Sequence, residues 1–170
     1  MAEEISPMMQ KYLETKEQYK DYLIDLCAAK GSNLLVLEQM IIHRNQYRIQ
    51  VMDDIIKSKT GNCIVFAHHT EYLKYLKRHF QEKFPNRPVY IITGEEVLKK
   101  RLKIIEQMLT DKDAILCASY GCCSTGITFK NVDYGIFAQS FKSEIIVLQS
   151  IGRGLLKTET KNTFPLYDII

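Results

Sequence analysis

Cys63-Ile64-Val65-Phe66-Ala67-His68-His69-Thr70 decides the fold. The apolar run, β-branched at Ile64 and Val65, reads as a strand buried on both faces. His68, His69 and Thr70 form a polar turn. Residues 71–84 then alternate apolar and basic side chains at helical period, until Pro85 and Pro88 end the helix. The unit recurs downstream. Val89-Tyr90-Ile91-Ile92 reads as a strand, Thr93-Gly94 as a turn, and residues 95–109 as a helix with Val97, Leu98, Leu102, Ile105 and Met108 inward. Ala114-Ile115-Leu116-Cys117-Ala118 is a third strand, followed by a long polar, glycine-bearing loop over residues 119–130. Tyr134-Gly135-Ile136-Phe137-Ala138 is a fourth strand, Ser143 an N-cap for a helix through Ile151, and residues 163–168 a last strand.

Strands alternating with helices at this spacing imply an α/β fold: a mainly parallel sheet covered by helices on both faces. Ligands of such sheets gather where loops leave the carboxyl ends of strands. The loops at His68, Thr93, Ser119 and Gln139 are therefore expected along one functional edge.

Upstream the texture is helical. Met8, Tyr12, Tyr19, Tyr22, Leu23 and Leu26 fall near one face of a segment over residues 7–30, which Gly31-Ser32-Asn33 stops. A second helix, residues 33–57, carries a stripe of Leu37, Met40, Ile41, Arg44, Arg48, Val51, Met52 and Ile55. Its arginines read either as side chains snorkelling at the edge of a packed face or as phosphate contacts.

The bulk numbers fit one compact domain. The chain has 170 residues, 46% hydrophobic and 25% charged, which argues against a disordered chain. A formal net charge of +3 is too small to count as evidence for nucleic acid. Cys27, Cys63, Cys117, Cys122 and Cys123 show no Cys-x-x-Cys spacing, which fits buried thiols in a reducing, intracellular setting and no zinc site. The start, Met-Ala-Glu-Glu-Ile-Ser, has no signal-peptide pattern, and no apolar run approaches the roughly 20 residues of a membrane span.

Two stretches could carry chemistry. Ser119-Tyr120-Gly121-Cys122-Cys123-Ser124-Thr125-Gly126-Ile127-Thr128 follows a strand, and its amides and hydroxyls could hold phosphate oxygens. The plainer reading is a tight loop in which Gly121 and Gly126 take positive φ. In Gln149-Ser150-Ile151-Gly152-Arg153-Gly154-Leu155-Leu156-Lys157, Gln149 and Arg153 share a face if the preceding helix continues. Gly152 permits close approach of the backbone. Arg153 offers a planar, permanently charged fork suited to a phosphoryl group, or else to a surface salt bridge.

In this order, the pieces resemble the second RecA-like domain of superfamily 2 helicases. The strongest part is residues 141–153, preceded by Ala118-Ser119-Tyr120-Gly121, which is similar to the UvsW-type recombination helicases of large tailed phages. The resemblance implies a three-layer RecA-like domain over residues 61–170, with residues 1–60 as a helical entry segment packed on it. It implies that His68, His69, Thr70, Gly94, Arg101, Ser119 and Tyr120 meet nucleic acid. It places Gly126, Thr128, Gly152 and Arg153 at ATP, with Arg153 and Gln149 as catalytic groups and Arg153 as the arginine finger. The implied partners are single-stranded or branched DNA and an N-terminal RecA-like helicase domain, in cis or in trans. The setting would be the cytoplasm of a phage-infected host.

Departures and absences bound these expectations. Where the family often has an acidic residue for the nucleotide ribose, this chain has Thr128, and Leu156 replaces a second arginine. Leucine cannot touch a phosphate, so either Arg153 acts alone or hydrolysis is slow or lost. No Gly-x-x-x-x-Gly-Lys-[Ser/Thr] occurs, nor an Asp-Glu pair after an apolar strand. ATP and Mg2+ are therefore expected only at the interface with a domain that supplies those groups. The alternative is a module that binds nucleic acid or a partner and keeps the helicase fold without the motor.

Overall fold

The computed structural model describes residues 44–124, 131–139 and 163–169. The chain divides into two compact units, Met1–Asn45 and Gln46–Ile170. All described elements belong to the second: α1 Gln46–Ser58, β1 Cys63–Ala67, α2 Thr70–Lys83, β2 Val89–Ile92, α3 Leu98–Thr110, β3 Ile115–Ser119, α4 Tyr120–Ser124, β4 Tyr134–Phe137 and β5 Leu166–Asp168. Helix α1 thus lies on the sheet's side of the division. Among these residues no helix is long and apolar enough to cross a membrane.

The strands form one sheet in the order β2-β3-β1-β4-β5, and every pairing is parallel. Central β1 is flanked by β3, with Val65 opposite Cys117, and by β4, with Val65 opposite Ile136. Its residues are all buried because both of its faces are covered. Cys63, Val65 and Ala67 join a cluster with Ile49, Met52 and Ile56 of α1 and Leu73, Leu76 and Phe80 of α2. Ile64 and Phe66 face the other way, into a cluster with Ile104 and Met108 of α3, Tyr120 and Cys122. Period-two alternation on the strand thereby produces three layers. Each fully buried Leu or Phe contributes about 1.5–3 kcal/mol.

Helix α3 departs from the expected face. Ile104 and Met108 are buried, whereas Val97, Leu98 and Leu102 are 70%, 61% and 48% exposed. The helix begins only at Leu98, after a turn fixed by Thr93 and Glu96, and this phase turns Ile104 rather than Leu102 to the sheet. The loop after β3 departs too, since it opens as the short helix α4. Gly121 lies in that helix, and among the described residues the positive-φ glycine is Gly61, at φ 97, while Gly126 lies outside them. A Cβ there would collide with the carboxylate of Asp133, which accepts the N–H of Asn62 at 2.7 Å.

Candidate nucleic-acid interface

The described site residues collect at the carboxyl edge. Ser119, last in β3, lies opposite Ala67, last in β1, so the turn of His68, His69 and Thr70 adjoins the start of α4. His68 is exposed, His69 and Thr70 are half-buried, and the two imidazoles meet edge to face at 5.1 Å. Burial, and then the neighbouring His68, hold His69 below the ordinary histidine value. His69 is the N-cap of α2 but makes no side-chain cap bond. Gln139 reaches across instead: its Oε1 accepts the N–H of His68 at 2.9 Å and of His69 at 3.3 Å.

At the end of β2, Thr93 and Glu96 form a local clasp. The Glu96 carboxylate accepts the Thr93 N–H at 2.5 Å and its hydroxyl at 2.7 Å. Burial would raise the Glu96 carboxyl, but the bonds from Thr93 outweigh it and hold the group low. Lys74 of α2 ties the same loop down through Glu95 at 3.1 Å while also pairing with Glu71 at 2.9 Å. Gly94 is exposed, and a Cβ added there meets nothing within 4 Å. What Gly94 contributes is its carbonyl, which accepts from Arg101 Nη2 at 3.0 Å. Arg101 folds back onto this turn, and its Nε is buried with no hydrogen-bond partner among the described residues.

At the end of β3, half-buried Ser119 directs its Oγ to Cys122 Sγ at 3.1 Å. Tyr120 occupies a different place from the one expected. It is 2% exposed, stacks on Phe66 at 5.6 Å and an interplanar angle of 13°, and packs against Phe137. Its hydroxyl donates to the Gln139 carbonyl at 2.6 Å. A ring so enclosed has no open face for a base. Gly126, Thr128, Gln149, Gly152 and Arg153, together with Leu156, lie outside the described residues.

Sequence reasoning placed the loop at Gln139 on the functional edge but gave its side chain no role, and did not settle Arg48. Gln139 could have been noticed as the first polar side chain after an apolar strand, but nothing in its type announces two backbone donors on another loop. Arg48 donates to the carbonyls of Ala138, at 3.2 Å, and Ile169, tying α1 to the edge strands. Among the described residues, no group of His, Cys, Asp and Glu could hold a metal ion.

A parallel sheet in this strand order, between helix layers and with polar loops gathered at its carboxyl edge, defines a RecA-like motor domain of the kind found second in helicases. The chain belongs to the helicase conserved C-terminal domain family, whose model matches residues 47–155. It is 33% identical over 115 residues to the ATP-dependent DNA helicase uvsW of Enterobacteria phage T4, covering 68% of this chain and 22% of that protein. The crystal structure of T4 UvsW matches with a TM-score of 0.63 at 29% identity, over 88% of this chain and 30% of that one. Domain 2 of the DEAD-box helicase Mss116p, bound to an RNA duplex, matches with a TM-score of 0.63 over 72% of this chain and 50% of that one. At 18% identity that likeness shows the fold alone. The chain thus spans about a fifth of the curated relative it matches.

Proposed function

We propose that this chain acts as the second motor domain of an ATP-dependent DNA helicase or branch-migration translocase, paired with a domain that supplies the phosphate loop. The observation that carries the reading is the gathering of the 68–70 turn, the Gly94 turn and Ser119 at one edge, in a chain 33% identical to a DNA helicase. The exposed His68 and the half-buried Thr70 and Ser119 offer small donors to the phosphates of a strand. Gln149 and Arg153 face nucleotide held by the partner half, where the Arg153 fork neutralises charge on the transferred phosphoryl. ATP with Mg2+ supplies the hydrolysis that drives the cycle. Closure of the two halves shifts the grip of Ser119 and the 68–70 turn along the strand.

The test is reconstitution with a phosphate-loop domain. Arg153→Ala is expected to lower DNA-stimulated ATP hydrolysis by about a thousandfold or more, and Arg153→Lys does not restore it, because ammonium lacks the planar fork. Hydrolysis unchanged by Arg153→Ala would sink the assignment. Leu156 and Thr128 favour a second reading, a nucleic-acid- or partner-binding module without motor activity. Salt-dependent DNA binding by the chain, with no ATPase gained on adding the motor half, would select it.

A further inference from the structure

The regular β1–β4 ladder ends at the bond from the Ala138 N–H to the Phe66 carbonyl, 2.9 Å. In a parallel ladder the next rung would run from the His68 N–H to the Ala138 carbonyl. That carbonyl accepts from Arg48 instead, and the His68 N–H turns to the side chain of Gln139. The Gln139 amide therefore extends the sheet by one rung at the point where the strands part. Two N–H donors on its oxygen fix the orientation of the amide, at 2.9 and 3.3 Å. The same residue's carbonyl accepts the Tyr120 hydroxyl, and the residue is 6% exposed. One side chain and one carbonyl thus join the β1 turn, the start of α4 and the end of β4.

We infer that Gln139 is a positioning residue for the nucleic-acid grip: it holds the 68–70 turn in binding geometry from the end of β4. The inference rests on the proposed function. Its distinctive content is that strand affinity depends on a residue that itself touches no strand. With the acceptor removed, the His68 and His69 amides lose their tie, and the turn samples geometries in which its donors no longer converge on one phosphate path.

The experiment uses the chain as it stands, with a fluorescent single-stranded DNA oligonucleotide, binding read by anisotropy at moderate salt and backbone exchange read residue by residue. Gln139→Met keeps the length of the side chain but not the acceptor. Faster exchange at His68 and His69 is expected, with about fivefold weaker binding, the equivalent of one lost hydrogen bond. Gln139→Glu retains an acceptor for both amides, so slow exchange and most of the affinity return. Should Q139M fail to fold, Gln139→Asn keeps the amide but shortens its reach, and the same losses are expected. Faster exchange with unaltered affinity, or no change in exchange, overturns the inference and leaves the proposed function standing. Absence of binding by the unaltered chain at low salt overturns the inference, whereas the proposed function stands or falls on the reconstitution.

Discussion

Asn62 Oδ1 accepts the backbone N–H of Ala114 at 2.7 Å, and both residues are buried, at 1% and 0% exposure. The Asn62 amide nitrogen meets the carbonyls of Asp111 at 2.8 Å, Asn131 at 2.8 Å and Met108 at 3.2 Å. One side chain therefore satisfies the backbone at the amino edge of the sheet, opposite the candidate interface. Asn62→Ala strands the buried Ala114 N–H and takes one donor from each of these carbonyls, of which Met108 and Asp111 still accept from Asn131 Nδ2 at 3.0 Å, and is expected to cost about 1–3 kcal/mol. Urea unfolding measures it, and the strand affinity of the protein that remains folded should not change.

The two sides of α3 should respond oppositely to substitution. Leu98→Gln and Leu102→Gln alter exposed side chains and should shift stability by no more than about 0.5 kcal/mol. Ile104→Ala or Met108→Ala opens the packed cluster and should cost about 2–4 kcal/mol. Denaturation midpoints of the four variants decide it; equal costs on both sides would contradict the observed phase of the helix.

The depressed titration of His69 has consequences of opposite sign for stability and binding. Its folded-state value lies below the ordinary 6.5, so between the two the unfolded chain binds more protons. The contribution to stability is complete above the ordinary value and is lost as pH falls below it. On the proposed function, strand phosphates would favour the charged imidazole, so affinity is expected to rise as pH drops from about 8 to about 6. Titrations of unfolding and of anisotropy against pH test both slopes, and His69→Asn should flatten each.

The sheet thiols should be inert. Burial pushes Cys63 up to about 12, against a smaller opposing pull from Arg87. Burial also raises Cys117, with Cys63 adding to the effect. A thiol-alkylating reagent followed by mass spectrometry should leave both unlabelled in the folded chain and label them together on global unfolding. Rapid labelling under native conditions would show that this face of β1 opens locally.

Much of the fold was legible because β1 to β4 are short apolar runs bounded by polar turns, and their repeated alternation with helices admits little but a parallel sheet. The phase of α3 was not legible. Its sequence holds more apolar residues than one face can bury, and the packed cluster takes Ile104 and Met108 while Leu98 and Leu102 stay exposed. The turn after β1 and the hydroxyl at Ser119 could be named from their place after strands. Tyr120 was expected to meet nucleic acid from its place beside Ser119, but an aromatic at that position serves equally well as a core ring. Only the neighbours Phe66 and Phe137, distant in sequence, settle it. The loop at Gln139 was placed, but the part its side chain plays was not: its partners are backbone amides, which leave no trace in residue type.

The strand order also governs how the polypeptide can be made. β1 leaves the ribosome ahead of the other strands, and β2 follows, yet neither bonds the other; both wait for β3, and β1 waits further for β4. A nascent chain that stops short of Ile115 therefore carries two apolar strands with no partner on either edge, a state open to pairing with other chains. Synthesis must run past Phe137 before the central strand is closed on both sides. Expression fragments cut between β2 and β4 are accordingly expected to aggregate, and boundaries beyond β5 to remain in solution.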